Sequence, residues 1–288
     1  MTRGLYFFRA LGSLVFVGAL VGPAYAQTTG DDDGALDLAE PDFSVVNLPT
    51  TLRLPAGKTD FHLTHRFGGN LRAKNADGEW SFSDQANDLF GLDKGATIGL
   101  ELRYGVARHL QAIVHRSSFD KTTQFSAKYD AIHQAEGMPV SLSGIASVEA
   151  PNHFRQRSNG FTVSREVAPA LAAVISHEIQ DRAAVYATPV WVHNSAAALG
   201  IDRNTFYIGL AGRARISSTT YVVVEASPRV SGYVSGQVEY AFGIEKRAGA
   251  HVFQLTFANT FGTTLGQIAR GGAPETLFLG FNLTRKFF

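Results

Sequence analysis

The most regular feature of this sequence is a two-residue alternation of apolar and polar side chains. In residues 251–261, positions of one parity are mostly apolar (Phe253, Leu255, Phe257, Phe261) and the others are small or polar (Gln254, Thr256, Ala258, Thr260). Successive side chains of a β-strand point to opposite faces of the sheet. This period therefore predicts a strand with one apolar and one polar side.

Twelve amphipathic segments of this kind follow one another along the chain. They lie at 60–67, 97–106, 109–117, 121–130, 139–149, 171–179, 183–193, 204–216, 219–228, 236–247, 251–261 and 276–287. Each has about the 9–11 residues that a tilted strand needs to cross a bilayer. The sequence therefore predicts an all-β fold, a single antiparallel transmembrane β-barrel of about twelve strands, within residues 48–288.

The connections between these segments support the same fold. Those after even-numbered segments are mostly short, whereas 68–96, 150–170, 194–203 and 262–275, all after odd-numbered segments, are long. The turn at 118–120 and the medium connection at 131–138 depart from this rule. Alternating short periplasmic turns and long external loops is typical of outer-membrane barrels. Twelve strands would leave both termini on the periplasmic side.

The N-terminus indicates export. Arg3 and Arg9 precede an apolar run at 11–21, and Ala24-Tyr25-Ala26 forms an A-x-A cleavage motif. This pattern predicts a signal peptide at residues 1–26, cleaved after Ala26. Residues 27–47 carry the acidic run 31–33, which predicts a flexible periplasmic leader. We therefore expect the mature chain in the outer membrane of a Gram-negative bacterium.

The C-terminus has an apolar strand face that ends on aromatic residues. The candidate assembly signal consists of Leu279, Phe281, Leu283, Phe287 and Phe288, although Phe288 falls on the polar parity. Many outer-membrane barrels end in this way. We therefore expect outer-membrane lipids and the barrel assembly machinery as partners.

Composition excludes several kinds of chemistry. The absence of cysteine rules out disulfides, thiolate catalysis and cysteine-bound metals. The net charge of +1 gives no reason to expect a nucleic-acid partner. The sequence has no H-E-x-x-H, C-x-x-C-H or G-x-S-x-G motif. Two histidine–serine pairs, His115 with Ser117 and His193 with Ser195, are too common by chance to indicate a hydrolase. We therefore predict no enzymatic activity, no cofactor and no metal.

The polar parity of several strands carries charged residues, which we assign to the barrel interior because charges are costly on a lipid-facing surface. The candidate lumen-lining residues are His62, Arg66, Glu101, Arg103, Glu178, Arg213, Arg215, Glu239 and Glu245. Two hypotheses remain open: they pair across the lumen and plug it, or they line a selective pathway. Arg213 and Arg215, two apart on one strand, are the best candidates for attracting an anion.

Four stretches of the chain resemble a known family. They are 59–68, 90–124, 203–224 and 238–262, and they include the motifs HRFG, FGLD and RSSFDK. These stretches are similar to an uncharacterised family of bacterial outer-membrane β-barrel proteins, a domain-of-unknown-function family, over roughly residues 47–288. The resemblance implies a barrel in the outer membrane. It implies no activity, cofactor or catalytic residue.

The sequence favours a passive channel or transport barrel for a small polar solute, with anions among the candidates. The alternative is a plugged structural or interaction barrel whose loops or N-terminal leader bind an unidentified periplasmic or surface partner. An outer-membrane hydrolase and a soluble periplasmic barrel that binds an apolar ligand are the remaining hypotheses.

Overall fold

The fold is a closed antiparallel β-barrel, and the computed structural model describes residues 37–154, 167–196, 203–234 and 236–288. Its strands are β1 (Thr59–Asn70), β2 (Ala96–Ala107), β3 (Leu110–Ser117), β4 (Thr123–Ile132), β5 (Ser141–Ala150), β6 (Ala168–Ile179), β7 (Ala183–Val192), β8 (Thr205–Arg215), β9 (Thr220–Ser227), β10 (Arg229–Gly232), β11 (Glu239–Ala248), β12 (His251–Ala258) and β13 (Phe278–Phe287). Neighbouring strands pair in sequence order, and β1 pairs with β13 to close the barrel.

The short strands β9 and β10 together occupy one strand position in the barrel. Both pair with β8, and Pro228 separates them. A proline has no backbone N–H, so it interrupts the hydrogen-bond ladder at this point. If β9 and β10 are counted as one strand, the barrel has twelve strands, which confirms the fold predicted from the two-residue period.

The two faces of each strand differ as the alternation predicts. On β12 the outward Leu255 is 50% exposed, whereas the inward Gln254 is 3% exposed and Thr256 is fully buried. The outward face is therefore mainly apolar, and the inward face carries most of the polar side chains.

The two ends of the barrel differ in their connections. At one end, which we call the turn end, β2–β3, β6–β7, β8–β9 and β11–β12 are joined by short turns. β1 begins and β13 finishes at this end, where Thr59 pairs with Phe287. At the other end, the loop end, the segments 71–95, 193–204 and 259–277 connect strands.

Two short α-helices lie in the connections at the loop end. The first, α1 (Phe82–Asn87), lies between β1 and β2. The second, α2 (Leu265–Ala269), is buried at all five positions and begins with a capping box formed by Thr264 and Gln267. Within the described part of the chain, no helix combines the length and apolar character needed to cross a membrane.

Residues 37–54 lie inside the barrel, and we call this segment the plug. Phe43, Val45, Val46 and Leu48 are completely buried, as is the acidic Glu40. This corrects the prediction of a flexible leader at 27–47 as far as residues 37–47 are concerned. The physical reason is that these apolar side chains leave water by packing against the lumen wall. The predicted signal peptide and residues 27–36 lie outside the described residues.

Candidate functional site in the barrel lumen

One side of the lumen is apolar and packs against the plug. Val174, Val190, Val192, Tyr186 and Tyr207 belong to this cluster, together with Val45, Val46 and Leu48 of the plug and Leu265 and Ile268 of α2. Gly209 of β8 makes room for the plug, since a Cβ atom placed there would lie 2.8 Å from both methyl carbons of Leu48. The plug is thus fitted to this sector by shape.

A single carboxylate on β9 holds the tip of the plug. Oε2 of Glu225 accepts backbone N–H bonds from Val46 (3.0 Å), Asn47 (3.0 Å) and Leu48 (3.0 Å), and Oε1 accepts a further bond from Asn47 (2.9 Å). The tip itself is a tight turn in which the Val45 N–H donates to the Leu48 carbonyl at 2.8 Å. Three consecutive N–H groups that converge on one carboxylate make a strong anion-binding arrangement.

Side chains of the polar sector donate to the carbonyl oxygens of the plug. Arg213 Nη2 donates to Ser44 O at 2.7 Å, and Gln254 Nε2 donates to Val45 O at 2.7 Å. Other donors to plug carbonyls are Arg103 (to Phe43), Asn282 (to Val46), Lys128 and Gln111 (both to Leu52) and Lys286 (to Pro41). Backbone groups that have left water need such partners. The polar wall therefore fits the backbone of the plug.

Several wall charges also pair with one another. Arg213 Nη2 lies 2.9 Å from Glu245 Oε2, with both side chains fully buried. Arg103 Nε donates to Glu101 Oε1 at 2.6 Å. The guanidinium of Arg213, predicted to attract an anion, thus already contacts a carboxylate and a plug carbonyl. Arg215 faces inward near the turn end, opposite Tyr221, and is half-buried.

Three further residues from the predicted lumen set contact the plug. Arg66 donates to Asn47 Oδ1 at 2.9 Å. Glu239 Oε1 accepts from Asn47 Nδ2 at 3.4 Å, and His62 Nδ1 lies 3.2 Å from Ser44 Oγ. Most of the predicted lumen residues thus contact the plug. The presence of the plug inside the lumen was not predicted from the sequence.

The predicted lumen residue Glu178 lies at the turn end, beside the first residues of the plug. Among the described residues, four side chains here each have a potential metal-ligand atom, and these four atoms lie within 4.8 Å of one another. The residues are Asp37, Glu40, His133 and Glu178. His133 Nδ1 accepts the Ala135 N–H at 3.3 Å, so a neutral His133 carries its proton on Nε2 and acts there as a donor. Burial raises the pKa of Glu40 to about 7, against the opposing effect of Lys128.

At the loop end, α2 and its flanks contact the barrel wall. Gly266 N–H of α2 donates to Glu149 Oε2 at 3.3 Å, and Arg270 Nη2 lies 2.6 Å from Asp120 Oδ2 in the β3–β4 connection. A pocket of about 50 Å³ remains between the plug, α2 and the wall of β2–β5. That space is large enough to hold water molecules.

The paired histidines and serines weighed for catalysis have other partners. His115 contacts Glu101 Oε2 (3.1 Å) and Thr263 Oγ1 (3.1 Å), while Ser117 Oγ accepts from the Phe119 N–H. His193 Nδ1 lies 2.6 Å from Asn204 Oδ1.

The residues of the candidate assembly signal occupy the last strand. Leu279, Phe281, Leu283 and Phe287 share the outward face of β13, and Phe288 follows the strand and is 43% exposed. Their recognition by an assembly machinery stays a prediction.

Sequence reasoning missed the residues that hold the plug, chiefly Glu225, Lys128, Gln254, Asn282 and Lys286. Their inward parity was visible, but their shared target was not. The signal that indicates the target is the apolar cluster at Phe43, Val45, Val46 and Leu48 within an otherwise acidic segment.

Comparison with family models identifies one match. Residues 42–287 match the family described as membrane bound beta barrel domain (DUF5777). The match includes most of the plug as well as the barrel. No curated protein sequence matches the chain.

Comparison with solved structures finds outer-membrane barrels. An outer membrane channel from Pseudomonas putida F1 is similar with a TM-score of 0.48 and 13% identity, over 82% of this chain and 97% of that one. The outer membrane protein Omp33 from Acinetobacter baumannii has a TM-score of 0.40 and 9% identity, over 80% and 98%. OmpT of Vibrio cholerae has a TM-score of 0.38 and 12% identity, over 82% and 99%.

Proposed function

The chain belongs to this family of membrane-bound β-barrel domains, and from that premise we propose that it is an outer-membrane channel closed at rest by its own N-terminal segment. Small polar solutes pass only when residues 37–54 leave the lumen. The observation that carries the proposal is the plug itself, since it fills the space through which a solute would have to move.

The way in which the plug is held favours a removable element. In the described residues its backbone pairs with itself, through the bridge between Ser44 and Pro49, and not with any strand of the wall. Side chains make the contacts between plug and wall. The plug can therefore leave without unpairing a strand, which would cost several kcal/mol per exposed backbone group in a membrane.

The charges on the inward face bear on what would pass. The described strands carry equal numbers of positive and negative side chains on their inward faces, eight of each. The cationic residues are Arg66, Arg103, Lys128, Arg213, Arg215, Arg229, Arg247 and Lys286, and the acidic residues are Asp60, Glu101, Asp130, Glu149, Glu178, Glu225, Glu239 and Glu245. This balance supports a small polar solute of either charge, or none, and gives no reason to favour an anion.

A permanently plugged barrel is the second candidate function. It is favoured by the apolar packing of Val45, Val46 and Leu48, because full burial of one such side chain contributes about 1.5–3 kcal/mol. In this alternative the protein acts through its exposed loops or its N-terminal residues, by binding a partner.

A crosslink between plug and wall separates the two candidates. The chain has no cysteine, so Leu48→Cys with Gly209→Cys introduces one disulfide where Leu48 of the plug packs against β8. We expect discrete conductance steps in a planar bilayer from the reduced double variant and none from the oxidised form. A variant that lacks residues 37–54 should conduct continuously.

Two results would overturn the channel proposal. Equal conductance of the oxidised and reduced forms would mean that solutes do not pass where the plug lies. A silent deletion variant that is nevertheless folded, by its resistance to heat in gel electrophoresis, would favour the permanently plugged barrel. Fractionation of cells into inner and outer membranes tests the proposed location.

A further inference from the structure

The outward face of the barrel has an uneven distribution of charge. On the described strands, no Asp or Glu side chain faces outward. Three Lys or Arg side chains do so: Arg116 near the loop end, and Lys246 and Arg285 near the turn end. A charged side chain on a lipid-facing surface is costly unless it lies near the interface and has a partner.

The two cations at the turn end belong to one patch. Lys246 is on β11 and Arg285 is on β13, and between them His251 of β12 lies directly opposite Arg285 in the strand register. Lys246 lies opposite Phe253, two residues along β12 from His251. Neighbouring strands are about 4.8 Å apart and a strand rises about 3.4 Å per residue, so the backbone positions of Lys246 and Arg285 are separated by roughly 12 Å. Their long side chains are therefore able to reach one headgroup-sized ligand.

Aromatic rings surround this patch, as expected where a barrel meets a membrane interface. The Arg285 guanidinium carbon lies 5.1 Å from the centre of the Phe287 ring. The His251 and Phe253 rings are stacked with centres 6.0 Å apart. Ile244 and Leu255, the next outward residues toward the middle of the barrel, are apolar and exposed. The cations thus lie where the apolar belt ends.

The patch has donors without an acidic partner. Lys246 Nζ donates to Thr219 Oγ1 at 2.7 Å and to Thr220 Oγ1 at 3.3 Å, which are neutral hydroxyls. Within the described residues, no carboxylate forms an ion pair with Lys246, His251 or Arg285. The positive charge is therefore uncompensated by the protein at this surface.

We propose that Lys246, His251 and Arg285 form a binding site for the phosphate of an anionic phospholipid headgroup, in the leaflet at the turn end of the barrel. The occupant is a phospholipid because the patch is continuous with the apolar belt. Acyl chains can lie along Ile244, Leu255 and Leu283 while the phosphate accepts from the three donors. This inference rests on the membrane-bound barrel alone and not on the proposed channel.

Native mass spectrometry of the folded barrel in neutral detergent tests the proposal, with phosphatidylglycerol, phosphatidylcholine and inorganic phosphate as probes. A Lys or Arg near an anionic membrane surface contributes about 1 kcal/mol, which is roughly fivefold in affinity. We therefore expect Lys246→Gln with Arg285→Gln to weaken phosphatidylglycerol binding about thirtyfold. Arg116→Gln, which removes the outward arginine at the other end, is the matched control and should change nothing.

Four results would overturn the site. The first three are unchanged phosphatidylglycerol binding by the double variant, equal binding of phosphatidylcholine by the unaltered protein, and an equal loss in Arg116→Gln. The fourth is competition by millimolar inorganic phosphate that is as effective as competition by the lipid. If the double variant does not fold, the single variants Lys246→Gln and Arg285→Gln are each expected to lose about fivefold.

Discussion

Removal of one negative charge at the tip of the plug is the sharpest test of how the barrel stays closed. Glu225→Gln keeps the shape of the side chain but replaces the two carboxylate oxygens with a single hydrogen-bond acceptor, the amide oxygen. The carboxylate now accepts N–H bonds from Val46, Asn47 and Leu48 at 2.9–3.0 Å. A hydrogen bond to a charged group contributes about 1.5–3 kcal/mol, and a neutral one about half as much.

The expected loss follows from the geometry of the four contacts. If the amide oxygen takes the place of Oε2, the three N–H groups keep a neutral acceptor, but the amide NH₂ then faces the Asn47 N–H. We therefore expect the docked state of the plug to lose about 2–3 kcal/mol. This raises the ratio of undocked to docked molecules by roughly 30- to 150-fold.

Hydrogen exchange of the backbone amides of residues 45–48 measures this ratio directly, because undocking exposes them to water. Glu239→Gln is the matched control, since Glu239 contacts the plug only through Asn47 Nδ2 at 3.4 Å. We expect faster exchange in Glu225→Gln and little change in Glu239→Gln. The reasoning fails if exchange in folded Glu225→Gln is as slow as in the unaltered protein.

Three other perturbations test separate parts of the structure. Because burial raises the pKa of Glu40 from 4.5 to about 7, docking of the plug favours the protonated carboxyl. The stabilisation of the docked plug is complete below about pH 4.5 and is lost between pH 4.5 and 7, so protease resistance of the plug should fall from about pH 4.5 to 7.5, and Glu40→Gln should flatten the profile. Gly209→Ala places a Cβ atom 2.8 Å from the methyl carbons of Leu48 and should destabilise docking by about 1–3 kcal/mol, while the added Leu48→Ala relieves the clash in a double-mutant cycle of exchange rates. Leu255→Arg, in the middle of the apolar outward face, should lower the unfolding free energy in lipid vesicles by about 2–4 kcal/mol, whereas His251→Arg at the turn end should cost about 0–1 kcal/mol; equal urea midpoints for these two variants would contradict the assigned membrane face.

The barrel was predictable because each of its strands can be recognised from a short stretch of consecutive residues. The segment 251–261 shows the two-residue period at most of its positions, and the strand observed there is His251–Ala258. The segment 219–228 was predicted as one strand, and the structure shows β9 with a continuation beyond Pro228. The inward face of each strand was also predictable, because side chains alternate between the two faces and the orientation of one residue fixes that of the others.

The plug was not predictable in this way, because its burial depends on contacts distant in sequence. Its acidic residues and lack of a period suggested a solvated leader. The evidence against that interpretation was the density of apolar residues from Phe43 to Leu48. Pairings within the lumen were hidden for the same reason: parity places Arg213 and Glu245 inside, but only the pairing of β9 with both β8 and β11 brings the two side chains into contact.

The path of the plug determines how it would leave. Residues 37 and 54 both lie near the turn end, because Asp37 adjoins Glu178 and the residue after Leu54, Pro55, adjoins Gly105 of β2. The tip at Asn47 reaches Arg66, far along β1 toward the loop end. The plug is therefore a hairpin inserted from one end. Withdrawal from that end breaks the contact of Lys286 with Pro41 before the contacts at Glu225, so the bonds break in sequence and not all at once. In the proposed channel, the plug would be held by the sum of these contacts and would be withdrawn over smaller successive barriers.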